Sequence, residues 1–218
     1  MSTDPNPLIR KDFHPVPGWS LLLFLGLLPL VVFAALRLWP DRALFSVMGA
    51  VFASAVVAVG LAVAPLGRVA FSALALRLVG WRPLVFGALG TLGLSVAVSQ
   101  IGIEPQGIKE AIKIAQDPGR LAVSLLLLGV LAPLAEELVF RGLLYGWIEG
   151  RWGARPALVV SSLAFAAAHY EPAHILLVLP LGFFFGWLRS HTGSLVPSLV
   201  AHVANNSFAV AAASLLKV

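Results

Sequence analysis

Long apolar runs separated by short polar stretches are the main pattern along this chain. A helix that crosses a membrane needs about 20 mostly apolar residues, and seven runs are close to that length. We therefore predict about seven spans, with a range of six to eight, at residues 19–38, 43–66, 83–101, 121–148, 156–169, 173–188 and 194–216. The pattern predicts an all-α, polytopic transmembrane helix bundle, with residues 1–218 forming a single integral membrane domain.

The segments outside these spans differ in character. Residues 1–18 are polar and rich in proline, which predicts a short polar N-terminal tail. Residues 68–81 are apolar but carry arginines, which favours an interfacial helix or a connection. Residues 102–120 are the most polar part of the middle of the chain, and the spacing within IKEAIKIA indicates a short surface helix.

Composition supports the membrane location. Hydrophobic residues make up 59% of the 218 residues and charged residues 11%, and the mean hydropathy is +0.93. A soluble domain has about 45–50% apolar and about 25% charged residues, so the composition favours neither a soluble enzyme nor a disordered chain. The net charge of +5 fits basic loops near lipid headgroups, and the sequence has no basic cluster that predicts a nucleic-acid partner. The absence of cysteine excludes thiolate chemistry.

Ionisable side chains inside a span are candidates for function, because each costs about 2.5–3.5 kcal/mol on insertion scales. Most predicted spans carry no ionisable residue in their middle, and three are predicted to bring polar groups inward: Glu136, Glu137 and Arg141 in the fourth, His169 at the end of the fifth, and His202, Asn205 and Asn206 in the seventh. Polar groups in lipid must face each other or a wet cavity. These three helices are therefore predicted to surround one intramembrane polar cavity.

Helical spacing separates the two glutamates. Glu137 and Arg141 are four residues apart with the acid first, which favours an ion pair within the helix. Glu136 points about 100° away from Glu137, so it can remain free for chemistry. The alternative is that both acids only neutralise Arg141, which would leave a surplus buried charge.

The remaining polar residues leave more than one interpretation open. His202 shares a face with both Asn205 and Asn206, so spacing does not choose between the two amides. Phe165 precedes His169 by four residues and is interpreted at least as much as a packing residue as a site residue.

A glutamate and a histidine beside one water molecule can remove its proton and direct it at a carbonyl carbon. A second histidine and an amide are donors suited to the developing oxyanion. This set describes amide hydrolysis without a covalent intermediate. Glu136, His169 and His202 could instead hold a zinc ion with an open position, although the HExxH motif is absent. The residues allow both mechanisms.

Three motifs lie in order on the apolar helices that carry these residues. EELVFR at 136–141, FAAAH at 165–169 and HVANN at 202–206 fit the patterns EExxxR, FxxxH and HxxxN. In this the chain resembles the CAAX protease and bacteriocin-processing family of intramembrane endopeptidases, also called CPBP or Abi. The resemblance covers residues 121–207, which we define as the catalytic motif core. The first three spans match only as membrane helices.

The resemblance implies an endopeptidase, either glutamate-dependent or a metalloprotease. Glu136 and His169 would bind and activate the water, and His202 and Asn206 would stabilise the oxyanion. No cofactor is favoured, and zinc stays the alternative.

The family pattern also assigns supporting roles. Glu137 and Arg141 would hold the helix and tune the site, and Phe165 would line the cavity. The pattern favours Asn206 over Asn205, which is kept as a supporting residue.

The same resemblance implies where the protein acts and on what. It would be a multi-pass protein of a bacterial or archaeal cell membrane, in contact with membrane lipid. Its substrate would be a peptide or protein, for example the C-terminal region of a membrane-associated protein. The short chain departs from the eukaryotic prenyl-protein branch of the family, which puts prenylated substrates in doubt.

Two other functions are kept as alternatives. A proton-coupled transporter could use the same carboxylates and histidines as a relay, although no internal repeat of the kind common in transporters is visible. A non-catalytic membrane immunity or scaffold protein is the other.

His14, His174 and His191 are interpreted as surface or interfacial residues, and Gly182 and Gly186 as helix-packing positions.

Overall fold

The computed structural model describes residues 14–39, 41, 43–103, 105–117 and 119–215, and in this part of the chain it contains helices and no strand. The helices are α1 (Gly18–Leu38), α2 (Leu44–Ala73), α3 (Trp81–Ser99), α4 (Gln106–Ala115), α5 (Leu121–Trp152), α6 (Ala154–Ala167), α7 (Pro172–Thr192) and α8 (Val196–Leu215). The predicted all-α bundle is confirmed. Of the predicted tail at residues 1–18, residues 1–13 lie outside the described part of the chain, and α1 already begins at Gly18.

Five of the eight helices in the described residues are long and apolar enough to cross a membrane, namely α1, α2, α3, α5 and α7. Helix α6 is apolar but only 14 residues long. Helix α8 has 20 residues but is not among the five, because its His202, Asn205 and Asn206 lower its hydropathy. All seven predicted spans coincide with helices, and the protein is a multi-pass integral membrane protein. The count of seven is approximate, since it includes α6 and α8.

The polar segment between α3 and α5 forms the predicted surface helix. Ile112 of α4 packs against Val210 and Ala213 of α8, and Leu121 and Leu125 of α5 pack against the same two residues. Glu171 in the turn between α6 and α7 accepts hydrogen bonds from the first backbone N–H groups of α4. Helix α4 therefore joins the end of α8 to the turn that follows α6.

Helix α5 is irregular around the first motif. Two π-helical segments, Leu125–Leu131 and Leu138–Leu144, flank a short α-helical segment, Ala132–Glu137. The π-helix is rare and frequently occurs at functional sites. The α-helical segment between them ends with Glu136 and Glu137.

Helices α5, α6, α7 and α8 meet in a buried cluster that surrounds the polar residues. Phe165, Phe185, Leu188 and Ala201 form its core. Helices α6 and α7 approach closely at Gly182, because glycine has no Cβ atom. A Cβ atom there would lie only 2.9 Å from the Phe165 ring. The packing role predicted for Gly182 and Gly186 is confirmed.

Candidate active site

Glu137 and Arg141 form the predicted ion pair within α5. Glu137 Oε1 lies 3.4 Å from Arg141 Nη1, and both side chains have no exposed surface. Arg141 Nη2 also donates to the backbone carbonyl of Gly182 at 2.9 Å, and its guanidinium lies 4.2 Å from the centre of the Phe165 ring. Glu137 is thus engaged by Arg141, which in turn links α5 to α6 and α7.

His202 lies between the two glutamates. Its Nδ1 is 3.1 Å from Glu137 Oε1, and its Nε2 is 3.5 Å from Glu136 Oε2. Because a carboxylate only accepts hydrogen bonds, Nδ1 is the donor to Glu137. The ring stacks on Phe185 with centroids 4.5 Å apart. Glu136 keeps 20% of its side chain exposed, whereas Glu137 keeps none, so Glu136 is the less enclosed of the two carboxylates.

His169 lies in the turn after α6 and is oriented by Phe165. Its Nδ1 is 3.0 Å from the Phe165 carbonyl, and because a carbonyl only accepts, Nδ1 carries the hydrogen. In a neutral ring Nε2 is then the nitrogen with a lone pair. The Phe165 ring contacts both imidazoles, at 5.0 Å from His169 and 5.6 Å from His202. Among the described residues, no hydrogen bond or ion pair joins His169 directly to Glu136.

Asn206 fills a gap in the backbone hydrogen bonding of α5. In the first π-helical segment, the N–H of Ala132 bonds the carbonyl of Leu127. The carbonyl of Leu128 would be the next acceptor, but its donor would be Pro133, which has no N–H. Asn206 Nδ2 donates to that carbonyl at 3.2 Å, and Asn205 Nδ2 donates to Asn206 Oδ1 at 3.3 Å. The two amides therefore form one chain, with Asn206 bound to α5.

Two residues at the site were not predicted from the sequence. Arg189 is buried at the end of α7, where its Nε donates to the carbonyl of Arg141 at 3.2 Å and its Nη2 lies 3.2 Å from Glu149 Oε2. The Arg141 carbonyl is in the second π-helical segment, where the N–H of Tyr145 bonds the carbonyls of Phe140 and Gly142 instead. No spacing rule links Arg189 to α5, because the contact depends on tertiary packing.

The second missed residue is His174. It was interpreted as a surface or interfacial residue, as His14 and His191 were, and those two are exposed. His174 is half-buried instead, and its ring centroid lies 4.6 Å from that of His169. The signal that could have found it is its position five residues after His169, across a turn too short to separate the two side chains.

The zinc alternative requires Glu136, His169 and His202 to converge. Glu136 and His202 are adjacent, but His169 is held against Phe165 and does not join them. In the part of the chain that the structure describes, no group of three histidine or acidic side chains is suited to hold a metal ion. These three side chains, as they stand, do not fit a three-ligand zinc site.

Comparison with known proteins agrees with the motifs. Residues 118–208 match the model of the family described as "Type II CAAX prenyl endopeptidase Rce1-like". This match confirms the family resemblance predicted from the three motifs, and it covers α5 to the middle of α8.

Two curated bacterial proteins are similar to part of the chain. The "Putative membrane peptidase YdiL" of Bacillus subtilis (strain 168) is 28% identical over 112 residues, which are 50% of this chain and 44% of that protein. The "UPF0177 protein YxdF" of Lactococcus lactis subsp. lactis (strain IL1403) is 34% identical over 91 residues, which are 41% of this chain and 50% of that protein. The similarity thus spans about half the length of these relatives. No solved structure gives a significant match.

Proposed function

We propose that this protein is an intramembrane endopeptidase that hydrolyses a peptide bond with water activated by Glu136 and His169. The observation that carries the proposal is the unequal surroundings of the two adjacent glutamates. Glu137 is fully buried and bound to Arg141 and His202. Glu136 is partly exposed and has only the His202 ring as an ion-pair partner among the described residues.

In the proposed reaction, Glu136 accepts a proton from a water molecule while the oxygen of that water attacks the carbonyl carbon of the substrate. His169 offers Nε2 as the second group that orients the water, because its Nδ1–H is bonded to Phe165. The attack forms a tetrahedral intermediate with a negative oxygen. Its C–N bond then breaks as the proton passes to the leaving nitrogen, which gives a carboxylate and an amine.

His202 and Asn206 are proposed to stabilise the negative oxygen. The His202 ring is fixed on one side by Nδ1–H to Glu137. Nε2, on the side of Glu136, can donate to the oxyanion only when it carries a hydrogen as well, so His202 is proposed to act in its doubly protonated form. The Asn206 amide has two hydrogens, and the one bonded to Leu128 leaves the other for the substrate. Each preorganised donor of this kind contributes about a hundredfold to a thousandfold in rate.

The proposed substrate is a peptide or protein segment that reaches the site from the membrane, such as the C-terminal region of a membrane-associated protein. The family description names a prenyl endopeptidase, and one relative is named as a membrane peptidase. Quenched fluorescent peptides with and without a C-terminal prenylcysteine motif would separate the two substrate classes. We expect cleavage that does not require the prenyl group.

Substitution of Glu136 tests the activity itself. The purified protein in proteoliposomes is expected to cleave a peptide library, read by mass spectrometry, and Glu136→Gln should reduce cleavage at least about a thousandfold. Glu110→Gln is the matched control, because Glu110 is exposed on α4 and its substitution should leave cleavage unchanged. Equal cleavage by Glu136→Gln and Glu110→Gln would refute the proposed role.

The same variant distinguishes the alternatives. An immunity or scaffold protein would keep its effect in cells when Glu136 is replaced, since its contacts do not depend on water activation. A proton-coupled transporter would lose substrate uptake and show no peptide products. The endopeptidase is favoured because the matched family and a relative are both described as peptidases.

A further inference from the structure

His174 is a half-buried imidazole that belongs to none of the three motifs, yet it contacts His169. The two ring centroids are 4.6 Å apart, with an angle of 71° between the planes. His174 lies in the first turn of α7. The chain reverses sharply between the two histidines, where Tyr170 has a φ of 59°. The contact is therefore made across a tight turn between α6 and α7.

His169 depends on such contacts because it lies beyond the end of its helix. Helix α6 ends at Ala167, so the preceding helical turn restricts the His169 side chain less than it would inside the helix. Two contacts of the His169 ring come from Phe165, the carbonyl at 3.0 Å from Nδ1 and the aromatic ring at a centroid distance of 5.0 Å. The His174 ring provides the contact from α7.

The turn itself is fixed by Glu171. Its Oε1 accepts a hydrogen bond from the N–H of Gln106 at 2.8 Å, and its Oε2 accepts one from the N–H of Gly107 at 3.3 Å. The carboxylate is thus bonded to the start of α4, and neither imidazole forms an ion pair with it among the described residues. His174 meets His169 through ring packing and not through a shared carboxylate.

We infer that His174 is a positioning residue for His169. Its ring keeps the His169 imidazole in the orientation in which Nδ1–H is bonded to Phe165 and Nε2 can accept a hydrogen bond from the water. This inference rests on the proposed function of His169, and it assigns no substrate contact to His174. An edge-to-face ring pair changes conformer populations by about twofold to tenfold, and small misplacements of a reacting group cost up to about a hundredfold in rate.

Two substitutions separate ring packing from acid–base chemistry. His174→Ala removes the ring and is expected to lower kcat about tenfold, with KM changed by less than about twofold. His174→Phe keeps an aromatic ring without nitrogen atoms and should restore at least about half of the wild-type kcat. His191→Ala is the matched control, because His191 packs on Trp187 at the other end of α7, and it should leave kcat unchanged.

Two results would overturn the positioning role. If His174→Phe is as slow as His174→Ala, the nitrogen atoms of His174 are required and the ring contact is not its function. If His174→Ala matches His191→Ala, the contact does not affect His169 at all.

Chemical labelling tests the same contact without relying on cleavage. Diethyl pyrocarbonate modifies the unprotonated imidazole nitrogen, and tandem mass spectrometry resolves His169 from its neighbours. We expect faster labelling of His169 in His174→Ala and wild-type labelling in His174→Phe. Unchanged labelling in His174→Ala would overturn the inference whether or not the protein cleaves peptides. Altered labelling in a protein whose cleavage does not depend on Glu136 would overturn the proposed function and leave the contact standing.

Discussion

Glu136 and Glu137 are adjacent in sequence, but their side chains have different partners. Glu137 neutralises a guanidinium that has no exposed surface, so its charge contributes to folding. Glu136 is partly exposed, and among the described residues its one ion-pair partner is the His202 ring, so its charge is available for chemistry. Replacing Glu137 is therefore expected to destabilise the protein, whereas replacing Glu136 is expected to reduce cleavage.

Glu137→Gln is expected to unfold the protein more easily, because it leaves the Arg141 charge buried without its partner. Removing one member of a buried ion pair costs about 3–5 kcal/mol. Unfolding by sodium dodecyl sulfate, followed by circular dichroism in mixed micelles, measures the change in the free energy of unfolding. Glu136→Gln and Glu110→Gln should both stay close to wild type. A wild-type midpoint for Glu137→Gln would contradict the assignment of this pair as structural.

Helix α5 accepts hydrogen bonds on its backbone from two other helices. Its π-helical segments present backbone carbonyls to side chains from outside, Leu128 to Asn206 of α8 and Arg141 to Arg189 of α7. The short segment Ala132–Glu137 between them is held at both ends. The hydrogen bonds that Asn206 and Arg189 donate to the backbone of α5 therefore lie on either side of Glu136. We expect them to help fix its position.

The bond from Asn206 predicts a coupling with Pro133. Asn206→Ala leaves the Leu128 carbonyl without a donor and should cost about 1–3 kcal/mol of stability. Adding Pro133→Ala to that variant supplies a backbone N–H that can reach the same carbonyl, so the double variant should regain part of the loss. A double-mutant cycle on the free energy of unfolding measures the coupling. Additive effects would show that Pro133 and Asn206 act independently.

Much of this element-level organisation follows from the sequence, and some of it does not. Apolar runs predict where the helices lie, and the four-residue spacing predicts the Glu137–Arg141 pair, because both depend on local periodicity. The contacts of Arg189 and His174 join residues of different helices, and hydropathy carries no information about them. The π-helical segments of α5 do not follow from the sequence either, because helical spacing is judged by 3.6 residues per turn.

Across the whole molecule, the polar residues of α5, α6 and α8 lie within one apolar bundle, and Phe165 contacts both imidazoles at its centre. The spans before α5 contribute apolar packing, with Val59 and Ala62 of α2 in the same core cluster as Leu143 of α5. The family match begins at residue 118, which agrees with a site built by the second half of the chain.

Metal removal tests the mechanism at this level. Because Glu136, His169 and His202 do not converge as three ligands, we expect peptide cleavage to survive dialysis against EDTA and 1,10-phenanthroline. Metal analysis of the active protein should then find zinc well below one ion per chain. If zinc is present at one ion per chain, and its removal stops cleavage while its return restores it, the water is activated by the metal and the proposed glutamate-activated mechanism is wrong.

The two π-helical segments also determine where α5 can gain or lose a residue. A one-residue deletion within Leu125–Leu131 can be absorbed by conversion to ordinary α-helix, with both flanking segments facing as before. The same deletion within Ala132–Glu137 cannot be absorbed, and it would turn the side chains on one side of it by about 100° relative to the other. Related chains that keep this site are therefore expected to differ in length only inside the π-helical segments of this helix.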